Sequence, residues 1–126
     1  MNYKGIIIEE SLQNTDLLDD INIISTKVEE VTPSHKTPWL KKWTLHTVEI
    51  SESLASKIAE KLSNSIELEH EWYADFKNEK YHFIIFKGKV FKVNRHNIKE
   101  YDAVKDYGVS LGIPEHQLTF SSEVIV

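Results

Sequence analysis

The chain has 126 residues, a length that fits one domain and leaves no room for two independent cores. Its 40% hydrophobic and 28% charged composition belongs to a globular protein, not to a disordered or fibrous one. With no cysteine, disulfides, thiolate metal sites and thiol nucleophiles are excluded, and no run approaches the roughly 20 apolar residues of a membrane-spanning helix.

The net charge of −5 is unevenly spread. Glu9, Glu10, Asp16, Asp19, Asp20, Glu29 and Glu30 crowd the first part of the chain. Lys77, Lys80, Lys87, Lys89, Lys92 and Arg95 follow one another later, with Glu79 between them. Such a basic stretch either marks a binding footprint or keeps strands soluble and blunts sheet edges. The second reading is preferred, and nucleic acid is not expected as a partner of this acidic chain.

In chain order, residues 3–10 form a first β candidate. The apolar run Ile6-Ile7-Ile8 within it is far too short for a signal-peptide core, so a cytoplasmic address is expected. A polar break at 16–20 precedes a second β candidate over 21–31. The Pro-containing stretch 32–38 is a loop, because each proline removes a ladder donor and pushes its predecessor toward extended geometry. Residues 43–50 read as a strand rich in branched and aromatic side chains. Ser51 stands where a helix N-cap belongs, and Leu54, Ile58 and Leu62 recur every four residues, which predicts a helix over about 52–63.

Three strands follow at 71–77, 80–86 and 89–94, parted by Asn78-Glu79 and Lys87-Gly88. Two-residue connections would make an antiparallel meander over 71–94, with Asp75 opposite His82 and Ile84 opposite Phe91. One face then carries Trp72, Ala74, Phe76, Phe83 and Ile85. The other carries Tyr73, Ile84, Phe86, Phe91 and Val93 together with Asp75 and His82. That second face is too apolar to stand in water, and other strands, a partner subunit or a ligand are expected to cover it. Asn97 and Glu100 open a second helix over about 98–107, with Gly108 placed to end it. Residues 118–126 could add a last strand. The fold class is therefore α+β: one domain over 1–126 with an antiparallel sheet and two helices.

The chemistry-bearing candidates are few. An opposed Asp75–His82 pair could fix one imidazole tautomer and tune its basicity, as a general base requires, but it equally suits a structural cross-strand pair. His46 lies on a strand face with Thr44, Val48 and Ile50, where a hydrogen-bonded core histidine is the plain alternative to a catalytic one. Two-histidine phosphoesterases need a hydroxyl residue two places after each histidine; here Val48 and Ile84 stand there, so that family is rejected. Glu67, Glu69 and Glu71 share a strand face without any ligand spacing, and neither a metal site nor a cofactor is expected. Trp39 and Trp43 interleave with Lys41 and Lys42 but serve equally well as core plugs. The four glycines hold no phosphate-cradling spacing, which removes the common nucleotide enzymes.

The run 5–12 (GIIIEESL), then 43–49 (WTLHTVE), 72–78 (WYADFKN), 81–86 (YHFIIF) and 89–92 (KVFK) together resemble a small family of uncharacterised single-domain microbial proteins. The resemblance spans nearly the whole chain and implies one compact cytoplasmic domain; it carries over no activity, cofactor, partner or functional residue.

Two functional classes fit. The preferred one is a small binding module for a small molecule or a protein partner. It would use the mixed face around His82, with Trp43, Tyr73, Phe86 and Phe91 as ligand-contacting candidates and with room for a homo-oligomer. The alternative is a small hydrolase or lyase in which His82, held by Asp75, acts as general base with His46 or a lysine nearby. The module is preferred because no nucleophile–base–oxyanion set is visible.

Overall fold

The computed structural model describes residues 1–32, 40–67 and 72–113. Six strands, β1 (Tyr3–Ile8), β2 (Asn22–Glu30), β3 (Lys42–Ile50), β4 (Tyr73–Lys77), β5 (Tyr81–Phe86) and β6 (Lys89–Asn94), make one sheet in the order β2-β3-β1-β4-β5-β6. Every neighbouring pair is antiparallel. Two helices, α1 (Ala55–Ser65) and α2 (Ile98–Ser110), complete an α+β fold.

The alternation in β1 and β3 turns Tyr3, Ile7, Val48 and Ile50 to one face, where they join Ala74, Phe76, Phe83 and Ile85 from the meander. Against this first face pack Ala55, Ile58, Ala59 and Leu62, the apolar stripe of α1. Ser51 does not cap that helix. It precedes a 3-10 turn at Glu52–Leu54, so the α-helix starts three residues later than its apolar periodicity implies and runs on to Ser65. The polar break at 16–20 is likewise a 3-10 turn, and its Leu17 and Leu18 are driven into the same core. At Gly5, β1 lies tight against β4. A Cβ there would lie 2.2 Å from the Asp75 carbonyl oxygen and 2.8 Å from Phe76 Cα, so only glycine fits.

The meander forms with a shift of register. Asp75 lies opposite Ile84, not His82, and Phe76 lies opposite Phe83. The tight turn falls at Glu79-Lys80, one residue later than expected, because Asn78 takes the first turn position that asparagine favours. Its Oδ1 accepts from the backbone N–H groups of Lys80 (2.9 Å) and Tyr81 (2.8 Å). A shift of two residues keeps every side chain on its expected face. The second turn is as expected: Gly88 has φ +74°, and Ile84 pairs with Phe91 and Ile85 with Val90.

The second face of the meander is covered from within the chain. Helix α2 lays Tyr101 and Val104 on Ile84, Phe86 and Val93, and Tyr107 packs its ring 5.0 Å from Phe86 and 5.4 Å from Phe91. No partner or ligand is needed over that half of the sheet. Asn97 caps α2 by accepting from Lys99 N–H at 3.1 Å. Glu100 reaches back to Asn94 N–H, not to the cap residue itself. Gly108 does not end the helix. It lies buried inside it, and Gly112, with φ +93°, is the residue after the cap. The Ile113 N–H donates to Gly108 O and the Gly112 N–H to Val109 O, a Schellman closure that seats Ile113 in the core.

Among the described residues helix α2 does not extend over the rest of the second face, where Ile6 is 50% exposed. The strand expected over 118–126 and most of the loop expected over 32–38 lie outside the described residues, as do Glu69, His70 and Glu71. Among the described residues no helix is long and apolar enough to cross a membrane.

Candidate functional site

Although not directly opposed, Asp75 and His82 meet. The two are diagonal neighbours on the second face, and His82 Nε2 stands 2.6 Å from Asp75 Oδ2. An ionised carboxylate only accepts, so Nε2 donates its proton toward Asp75. In the neutral ring, Nδ1 is then an acceptor for the Tyr101 hydroxyl 3.0 Å away. Tyr101 in turn is hydrogen-bonded to Arg95, whose Nη1 donates to the Asn78 carbonyl. Burial, the largest influence, raises the Tyr101 pKa above its ordinary value, while the Arg95 charge and hydrogen bond pull it down. The imidazole is 1% exposed, sealed between β5 and α2. The chain Arg95–Tyr101–His82–Asp75 thus pins α2 to the sheet and ties the first meander turn to it. Asp75 alone reaches solvent, at 35% side-chain exposure.

His46 faces the other way. It lies opposite Ile7 on β1 and Thr26 on β2, on the first face, so it cannot converge with Asp75 and His82. Its Nε2 is 3.0 Å from Glu9 Oε1 and its Nδ1 is 2.9 Å from Thr26 Oγ1. Beside it, Glu10 accepts from both the backbone N–H and the hydroxyl of Thr44. Glu9 and Glu10 belong to the 3-10 turn Glu9–Ser11, where β1 leaves the sheet. Their carboxylates continue the hold on β3 that the β1 ladder gives up there. The Glu9–His46–Thr26 chain is also an acid–imidazole–hydroxyl sequence, with the threonine exposed. It went unseen in the sequence because its members are 37 and 20 residues apart and meet only through the strand order.

The aromatic candidates do not form one site. Phe86 and Phe91 are packed under Tyr107, and Tyr73 lies 5.9 Å from Phe86 at the border of the same cluster. Trp43 instead meets Trp72 edge to face at 5.7 Å, against the α1 core. The basic stretch is largely structural in geometry. Lys92 lies 4.4 Å over the Tyr81 ring and 5.7 Å over Phe83, and Lys89 lies over Phe91. Among the described residues no group of three or more histidines and carboxylates could hold a metal ion.

The two edges of the sheet are unlike. Edge strand β6 is six residues long, carries Lys89 and Lys92, and is flanked by α2. Edge strand β2 is nine residues long and pairs, among the described residues, with β3 alone. It presents Ile24 at 51% and Val28 at 57% exposure, with Lys27 and Glu29 beside them. The Val31 N–H donates to Lys41 O at 3.1 Å, which fixes the phase of the ladder. By alternation Ser25, Lys27 and Glu29 direct their backbone groups to β3, while Thr26, Val28 and Glu30 direct theirs to the opposite side, where no described strand lies. A bulge between Ile23 and Ser25 breaks the N-terminal part of β2, and Ser25 to Glu30 is regular. No family model, curated protein or solved structure matches the chain.

Proposed function

We propose that the protein is a cytoplasmic binding module that takes up an extended strand of a partner protein along the edge of β2. The observation that carries this is the outward set of backbone donors and acceptors at Thr26, Val28 and Glu30, on a long strand bearing exposed Ile24 and Val28. Long apolar edges are normally blunted, as β6 is by its lysines, because an open row of N–H and C=O groups templates strand addition. Main-chain hydrogen bonds then give affinity and the alternate side chains give selectivity. Lys27 and Glu29 share one face of β2, so the fitting strand carries an acid opposite the first and a base opposite the second. The mixed face around His82 is not part of this surface, since α2 occupies it.

A labelled peptide with the sequence of residues 25–31 is the direct probe. It should bind the intact protein, with affinity lost on Val28→Pro. That change removes one outward N–H and no bond to β3. Equal binding by wild type and Val28→Pro contradicts strand addition.

A second reading, a small hydrolase, is favoured by the Glu9–His46–Thr26 chain alone. In it the imidazole takes the Thr26 proton through Nδ1 while Glu9 holds Nε2, and the exposed hydroxyl attacks an ester carbonyl. The ester C–O bond breaks as the imidazolium returns the proton to the leaving alkoxide, and water then hydrolyses the acyl-threonine. Hydrolysis of p-nitrophenyl acetate that falls to background in Thr26→Val, with the fold intact, supports it. Identical rates for the two proteins refute it.

A further inference from the structure

Resting on the strand-addition reading, we infer that the strand taken up is β2 of a second copy of this chain, paired antiparallel about a two-fold axis at Val28. A strand can meet its own copy this way only in registers that place one residue opposite itself, and the charges of β2 select among them. Centring on Lys27 sets lysine against lysine, and centring on Glu29 sets glutamate against glutamate; like charges directly opposite repel. Centring on Thr26 brings the bulge around Ile24 into the pairing, opposite Val28. Centring on Val28 puts Lys27 opposite Glu29 twice, Thr26 opposite Glu30 twice, and Val28 against Val28.

That register also satisfies the backbone. Its hydrogen-bonded pairs are Val28 with Val28 and Thr26 with Glu30, the residues whose N–H and C=O groups point outward. The Lys27–Glu29 pairs then occupy the closer, non-hydrogen-bonded positions, on the second face of the sheet. Within one chain Lys27 Nζ is 3.9 Å from Glu29 Oε2, with the lysine side chain 76% exposed. Two copies would bring these into an alternating cluster of four charges. Pairing like with like closes the assembly at two copies and joins the two sheets into one. Pairing β2 with β6 of another copy would polymerise instead, and the β6 lysines oppose that.

Sedimentation of the full chain over a range of concentrations tests this, using wild type, Lys27→Glu, and Lys27→Glu combined with Glu29→Lys. Wild type should be a dimer. Lys27→Glu should weaken it about tenfold or more by facing two acids, and the double change should restore it by reversing both signs. Equal dimerisation of wild type and Lys27→Glu overturns the register. A wild type that stays monomeric but binds the 25–31 peptide overturns the dimer and leaves strand addition standing; a monomer that ignores the peptide removes both.

Discussion

His82 Nε2 lies 2.6 Å from Asp75 Oδ2 across a diagonal of the β4–β5 pair, while Nδ1 of the same ring meets the Tyr101 hydroxyl. One imidazole therefore bonds a strand on one side and a helix on the other. Removing it leaves a carboxylate and a buried phenol without that partner. His82→Ala should destabilise the protein by about 1–3 kcal/mol, read as a lower denaturant midpoint. Tyr101→Phe should cost less, about 0.5–1.5 kcal/mol, because it removes hydrogen bonds but keeps the ring in the α2 core. An unchanged midpoint for His82→Ala would contradict the pin.

The alkaline limb of stability carries a second expectation. Burial is the first cause that raises the pKa values of both Tyr101 and Tyr3 above 10.0. A raised folded pKa means that the native state holds its proton longer than the unfolded chain. Stability from these tyrosines is thus complete below about pH 10 and is lost as pH rises through their folded values. Lys77, pushed down first by burial, works in the opposite sense, since its cost is relieved as pH rises toward 10.5. Tyr101→Phe should flatten the decline above about pH 10. A decline as steep as that of wild type would show that Tyr101 does not drive it.

Two glycines should fail for different reasons. At Gly5 a Cβ collides with β4 backbone, so Gly5→Ala should cost at least about 1–3 kcal/mol. At Gly88 nothing lies within 4 Å of an added Cβ, and only its φ of +74° resists substitution. Gly88→Ala should cost about 1–2 kcal/mol, with asparagine tolerated better than alanine. Thermal midpoints of the three variants check this, and equal losses for Gly88→Asn and Gly88→Ala would speak against a conformational cause.

Much of this architecture could be read from the residues. The period-two pattern sorts the meander side chains onto their faces although the β4–β5 register lies two residues from the expected one, because that period is unchanged by a shift of two; the β5–β6 register is the expected one. Asn78 caps the turn from its first position and does not lie within it, which moves the turn one residue along the chain. The Asp75–His82 contact survived because a carboxylate reaches a diagonal neighbour. What covers their face was not legible: that α2 folds back over β5 and β6 depends on connectivity, not on local pattern. Strand order was hidden for the same reason. It separates His46 from His82 on opposite faces, joins Glu9 to Thr26 through His46, and among the described residues makes β2 an edge.

The open edge of β2 is tested most directly by amide hydrogen exchange, residue by residue, in dilute and concentrated protein. Ser25, Lys27 and Glu29 should be protected throughout by β3. Thr26, Val28 and Glu30 should exchange freely when dilute and gain protection as concentration rises. Uniform protection of all six amides at high dilution would mean that the edge is already covered. No gain at Thr26, Val28 and Glu30, either on concentration or with the 25–31 peptide added, would contradict strand addition outright.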